Sequence, residues 1–287
     1  STTLTKEEKE EEVFHSGVGR IATLKMYPMS LYESGDSNGE ISLLDMLNNK
    51  DVGKSVKKYE LNEIAELIIR GGWPENLEVS KENIDLIPSN YIENVINKDI
   101  HERKDHKRDS NKMRVILKSL ARNEASPIGY DTIVKDIAEY ENESDLVENR
   151  KTVADYIKVL DSLYLTLNQE AYSINYRSSK RIGKSAKRHL VDPSLSCALL
   201  DLSVDKLMHD FNTFGLMFEA LVERDLRIYM DYLDGHLYHF RDNTSGDEVD
   251  AILEFKSGEY GAVEIKLNYR SIEEAKESLL KFYNNVS

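Results

Sequence analysis

The chain is short of cysteine, of long apolar runs and of positive charge. Its 287 residues hold one cysteine, Cys197, so no internal disulfide can form, which fits a reducing, cytoplasmic setting. No stretch approaches the roughly 18 consecutive apolar residues of a membrane span, and the N-terminus has no apolar signal-peptide core. A membrane partner is therefore not expected. Lys and Arg total 38 against 52 Asp and Glu, a formal net charge of −14. That balance excludes non-specific coating of nucleic acid by the whole surface but leaves room for a local basic site.

What is present suffices for two or three domains, each with its own core, at 40% hydrophobic residues. After the charged run Lys6 to Glu12, helical spacing first becomes clear at Leu61, Ile64, Ala65 and Ile68. That helix is expected to stop at Gly71-Gly72-Trp73-Pro74, and Ser89 is placed to cap a further helix whose buried face carries Ile92, Val95, Ile96 and Ile100. His101 and His106 lie among cations with no cysteine near, which does not make a zinc site.

Residues 111–185 read as a second block. Met113, Ile116, Leu117 and Leu120 form one helical stripe, Ile133, Val134 and Ile137 a shorter one, and Val153, Tyr156, Ile157 and Leu160 a third. Leu163-Tyr164-Leu165 then turns strand-like, so three helices followed by a hairpin give the order of a winged helix. From residue 171 to 191 there are six cations and no acid: Arg177, Lys180, Arg181, Lys184, Lys187 and Arg188, with Tyr172 and Tyr176 beside them. In so acidic a chain this island is the candidate for phosphate contacts with nucleic acid. The other reading is a solvated wing, or a patch docked on the protein's own acidic surface.

Near the C-terminus, strands are expected at Tyr238-His239-Phe240, over 248–255 and over 261–267. In the last, Val263, Ile265 and Leu267 share an apolar face, and Glu264 and Lys266 share the other. Asp250 stands in the preceding strand. Phe214, Phe218, Leu221 and Val222 place Glu219 on an amphipathic helix, with Glu223 one turn further on. Asp250, Glu264 and Glu219 could supply oxygen ligands to Mg²⁺, with Lys266 stabilising negative charge that develops on a phosphate. The bland alternative is a charged hairpin, since Glu-x-Lys recurs five times in this sequence.

The Asp250…Glu264-Ile265-Lys266 pattern resembles the PD-(D/E)xK nuclease-like superfamily, over roughly residues 190–287. The resemblance implies a mixed sheet flanked by helices and metal-dependent phosphodiester hydrolysis. Two features depart from it: Val249 stands where a proline precedes the first acid, and no Gln-x-x-x-Tyr follows Lys266. Gly17-Val18-Gly19-Arg20-Ile21, Pro28-Met29-Ser30-Leu31-Tyr32-Glu33-Ser34, Gly71-Gly72-Trp73-Pro74, Tyr91…Asp99 and Lys187-Arg188-His189-Leu190-Val191-Asp192 are similar to segments of a prokaryotic AAA-type ATPase family. Its members carry a P-loop domain followed by a C-terminal domain of unknown function.

That resemblance implies that residues 1–40 are the tail of the ATPase domain, with ATP bound only in the complete protein and that domain as a partner. Gly53-Lys54-Ser55 and Gly183-Lys184-Ser185 are not P-loops, because Asn48 and Ser178 stand where the first glycine belongs. The expected fold is thus helix-rich, multi-domain α/β: a helical region over 41–110, a winged-helix-like domain over 111–185, and a mixed-sheet nuclease-like domain over 186–287. The expected function is the nucleic-acid-associated part of an AAA-type ATPase with a Mg²⁺-dependent site. The alternative is a non-catalytic DNA-binding, protein-interaction or regulatory module on an inactive scaffold.

Overall fold

The computed structural model describes residues 24–48, 50, 58–99, 109–141, 149–173, 185–242 and 246–286. A short helix α1 (Leu43–Leu47) precedes α2 (Leu61–Arg70), which buries Ala65, Leu67, Ile68 and Ile69. Helix α3 (Leu86–Asn94) starts after Asp85 and runs into a π-turn over Val95–Asp99. Ser89 therefore lies inside α3 and does not cap it. Ile92, Val95 and Ile96, at i, i+3 and i+4, share the face that reaches the core.

The next elements have winged-helix order. They are α4 (Ser110–Arg122), β1 (Ser126–Pro127), α5 (Tyr130–Glu141), α6 (Arg150–Ser162), β2 (Thr166–Gln169) and β3 (Lys187–Leu190), with the strands arranged β1-β3-β2. The periodicities at 113–120, 133–137 and 153–160 fall on α4, α5 and α6. Leu163-Tyr164-Leu165 is the turn before β2, with Tyr164 at φ +57°. Helix α3, this unit and the following α7 (Pro193–Leu199) share one core, through Ile96, Ile116, Ile157 and Leu195.

Helix α8 (Val204–His209) leads into the 22-residue α9 (Phe211–Tyr232), capped by Asp210, whose carboxylate accepts from Asn212 and Thr213 N–H. Phe214, Met217 and Leu221 pack against α2 and α8, while Leu226 and Met230 pack against a sheet. That sheet is β4 (His236–Arg241), β5 (Glu248–Glu254) and β6 (Tyr260–Val263), an antiparallel meander. One parallel bridge, Ala171 to His239, joins the segment after β2 to β4 and makes the arrangement mixed. Helix α10 (Ile272–Val286) covers the sheet's other face through Phe282. The chain is thus helix-rich α/β with small sheets, as its patterning implies.

The third strand of the meander is shorter than its alternation suggests. It ends at Val263, before Glu264 and Lys266. The Ile265 N–H turns to the Asp250 carboxylate at 2.7 Å instead of a ladder carbonyl, so a side chain ends the pairing.

The Gly-Gly-Trp-Pro turn joins the two halves of the helical region. Gly71 closes α2 at φ +67°, ψ −175°, a conformation open in practice only to glycine. A Cβ there would lie 2.3 Å from Ser194 Oγ and 2.6 Å from Asp192 Oδ1. Gly72 N–H donates to Asp192 Oδ2 at 3.0 Å and Trp73 Nε1–H to Ser194 Oγ at 2.8 Å. Gly71→Ala is expected to cost about 2 kcal/mol or more, from strain plus clash. Urea unfolding of the variant beside the parent checks this, and an unchanged midpoint would contradict it.

Candidate functional site

Positions four apart on a helix share a face, so α9 turns Glu219 and Glu223 toward the same neighbour. That neighbour is β3, where Lys187 and His189, two apart, project together. Lys187 Nζ lies 2.6 Å from Glu219 Oε1, 3.0 Å from Glu223 Oε1 and 3.3 Å from the Asp250 carbonyl oxygen. Next to it, Lys266 Nζ lies 2.8 Å from Glu264 Oε2 and 3.3 Å from Asp250 Oδ2. Ser278 on α10 donates to Glu264 Oε1 at 2.6 Å. All four residues expected for the catalytic site therefore gather at the junction of α9, β5 and the end of β6.

The Lys266 side chain is 33% exposed against 9% for Lys187, so the cluster opens to solvent on the Lys266 side. A groove of about 570 Å³ begins there, lined by Glu264 and Lys266 and by the Ile272, Leu279, Leu280 and Tyr283 face of α10.

Burial sets the proton affinities, and the lysines oppose it. Burial raises the Glu219 pKa, Lys187 offsets part of that, and the Asp250 charge adds to the rise. Glu223 is raised to about 7 by burial, against the pull of Lys187 and His189. For Glu264 burial again leads, opposed by its bonds from Lys266 and Ser278 and assisted by Asp250. Burial works against the charge on each lysine. The acids around them outweigh it, so Lys187 and Lys266 stay cationic with raised pKa.

The cluster fits a divalent cation only in part. Asp250 and Glu264 both reach one ammonium, so one ion could replace it. Mg²⁺ is commonly held by one or two carboxylates, with water and substrate phosphate completing its shell. Glu219 does not join them, because Lys187 holds it. Among the described residues no group of three or more His, Cys, Asp or Glu side chains is placed to hold a metal.

The basic island divides. Arg177, Lys180, Arg181 and Lys184 lie outside the described residues. Lys187 is not a phosphate contact: it is 7% exposed, and the β3 pleat turns it inward onto α9. Arg188 points the other way, bonded to Asn168 Oδ1 at 3.1 Å and set 5.0 Å over the Tyr130 ring.

Sequence reasoning missed the polar chain behind Lys187. His189 Nδ1 lies 3.0 Å from Glu124 Oε1, and its Nε2 lies 3.2 Å from Gln169 Oε1. Gln169 Nε2 in turn donates to the Tyr238 and Asp250 carbonyls, each at 2.9 Å. Its only sequence signal is that Lys187 and His189 occupy the inward face of a strand where apolar residues belong.

Burial pushes Glu124 up to about 8 and His189 down to about 4. At neutral pH Glu124 therefore carries a proton for Nδ1, and His189 donates from Nε2. The Glu124 value is raised above its ordinary 4.5, so its stabilisation is complete below about pH 4.5 and lost as pH rises through about 8. His189 acts oppositely: its contribution is present above 6.5 and lost as pH falls toward 4. Between pH 6.5 and 8 Glu124 contributes a fall in stability as pH rises, and His189 contributes no slope. Glu124→Gln keeps an N–H for Nδ1 and is expected to flatten that fall. Urea unfolding at pH 6.5 and 8.5 measures it, and parallel slopes for parent and variant would refute it.

No curated protein and no solved structure matches the chain significantly. Residues 214–287, from the first turn of α9 onward, match a domain of unknown function, DUF4143, which is found at the C-terminus of AAA-ATPase-like proteins. Residues 61–206, from α2 into α8, match a second domain of unknown function, DUF8612. That match takes in a little more than half of the chain, and the protein belongs to the DUF8612 family.

Proposed function

We propose that the chain is the nucleic-acid-associated C-terminal part of an AAA-type ATPase, with a Mg²⁺-dependent phosphodiester-cleaving site at Asp250, Glu264 and Lys266. The convergence of the Asp250 and Glu264 carboxylates on the one ammonium of Lys266 carries this reading. The α9–β4–β5–β6–α10 order, with a helical acid, an acid in the second strand and an acid and lysine after the third, supports its likeness to the PD-(D/E)xK nuclease-like superfamily.

Asp250 and Glu264 would hold the ion. Bound there, Mg²⁺ supplies Lewis-acid polarisation of a phosphate and acidification of a water. Lys266, cationic and the more exposed of the two lysines, is placed to pair with a phosphate oxygen and to stabilise charge developing on it. The Ile265 N–H and Ser278 keep the two carboxylates aimed at one point. Arg177, Lys180, Arg181 and Lys184 would hold the nucleic-acid backbone, and ATP would be bound by the complete protein.

The second reading is a non-catalytic DNA-binding or interaction module. The engagement of Glu219 by Lys187, which takes the helical acid out of any ligand set, favours it.

Incubation with single- and double-stranded DNA and RNA in Mg²⁺ or Mn²⁺ separates the two. Cleavage is expected, falling about 100-fold or more in Asp250→Ala and Lys266→Ala, as for removal of a group that stabilises transition-state charge. Cleavage that survives both changes would remove the site assignment. Absence of cleavage, with salt-sensitive binding lost on neutralising Lys180, Arg181 and Lys184, would establish the second reading.

A further inference from the structure

We infer that Lys187 is a resident cation of the acid cluster: it fills the oxygen cage of Glu219, Glu223 and the Asp250 carbonyl and limits the site to one divalent ion. The cage itself stands on geometry. The statement that the single ion lies at Asp250 and Glu264 rests on the function proposed above.

An ammonium has three donors and no acceptor. Lys187 meets one oxygen for each donor, at 2.6, 3.0 and 3.3 Å, and is almost fully enclosed. It therefore has no donor left for a substrate phosphate. Hard cations such as Mg²⁺ or Mn²⁺ take carboxylate and carbonyl oxygens of this kind.

The lysine is also held from behind. β3 is paired on both edges, with Lys187 opposite Pro127 on β1 and Gln169 on β2. The side chain thus arrives from a sheet whose backbone is fixed on each side, while the oxygens belong to α9 and β5. The winged-helix sheet supplies a charge that the acid cluster lacks.

The charge count agrees. Fully ionised, the four carboxylates around Lys187 and Lys266 would exceed the two ammonium groups by two negative charges, a difference that one divalent cation would close. A second ion would be surplus while Lys187 is in place. Glu223 Oε2, buried without a hydrogen-bond partner, marks the cage as already short of donors. Loss of Lys187 would leave two enclosed carboxylates without the cation that bonds them both.

The test is Lys187→Met, which keeps the chain length and removes the charge. Its melting temperature in EDTA should drop well below that of the parent, and Mn²⁺ should restore it. Calorimetric titration should count one Mn²⁺ in the parent and two in Lys187→Met, the added ion being lost again in Lys187→Met/Glu219→Gln. A variant that melts like the parent in EDTA, or binds no more Mn²⁺ than the parent, overturns the inference.

If Lys187→Met does not fold, Glu219→Gln alone decides. Its Mn²⁺ affinity should stay within about twofold of the parent, because Lys187 keeps Glu219 off the ion. A tenfold loss, about 1.4 kcal/mol, overturns the inference. A parent that binds no Mn²⁺ removes the Asp250–Glu264 reading alone. One ion gained by Lys187→Met and lost with Glu219→Gln would still uphold the cage.

Discussion

The structure depends on burying the charges of α9. Within nine consecutive positions this helix carries Glu219, Glu223, Arg224, Asp225 and Arg227, in the middle of the molecule. Four of them are held in ion pairs, because an unpaired buried charge costs several kcal/mol, while Arg227 meets the Asn168 carbonyl at 3.3 Å. The partners come from every direction. Lys187 reaches Glu219 and Glu223 from β3. Asp192, at the start of α7, meets Arg224 at 2.8 Å, and Asp225 lies 2.7 Å from the same guanidinium. The Leu31 N–H donates to Asp225 at 2.9 Å. Such pairs add little net stability, but breaking one side typically costs about 3–5 kcal/mol. They act as registry pins that fix where the neighbouring segments sit against the helix.

From this it follows that the winged-helix unit and the meander are not independent parts. The apolar core around Ile116 and Ile157 closes the first, and that around Phe282 and Ile252 closes one face of the second. Besides the Ala171–His239 bridge and Tyr172, which packs with Val249, Ile252 and Phe282, the contact between them is polar: Lys187 on the acids, and the chain from Glu124 through His189 and Gln169 to the Asp250 carbonyl. Asp250 is touched twice, by its carbonyl from the winged-helix side and by its carboxylate from the Ile265–Lys266 side. A shift of β3 would thus be felt at the residue on which the candidate site is centred.

Legibility in the sequence tracked periodicity. The apolar stripes of α4 and α6 match the residues buried in the structure, while α2 buries Leu67 and Ile69 in place of Leu61 and Ile64, and Val134 of α5 is only half-buried. The strands of the meander were legible in order, because their turns are rich in Gly, Asn, Asp and Ser. Ends were less so. α3 begins at Leu86 although Ser89 has better capping chemistry. β6 stops before Glu264 because a carboxylate from β5 captures the next backbone N–H. Neither event leaves a mark in local spacing.

By itself the sequence determined the helix-rich α/β character, the order of elements and the nearness of Glu264 to Lys266, since these follow from local periodicity and adjacency. It also singled out Asp250 and Glu219 as candidates. Only the tertiary structure decided how those charges are shared. It turned Lys187 inward onto the acids, paired Glu219 with that lysine, and built the Glu124–His189–Gln169 chain. The physical reason is that a charge's role depends on what lies within a few ångströms once water is excluded. Here those neighbours come from segments separated by 20 to 81 positions.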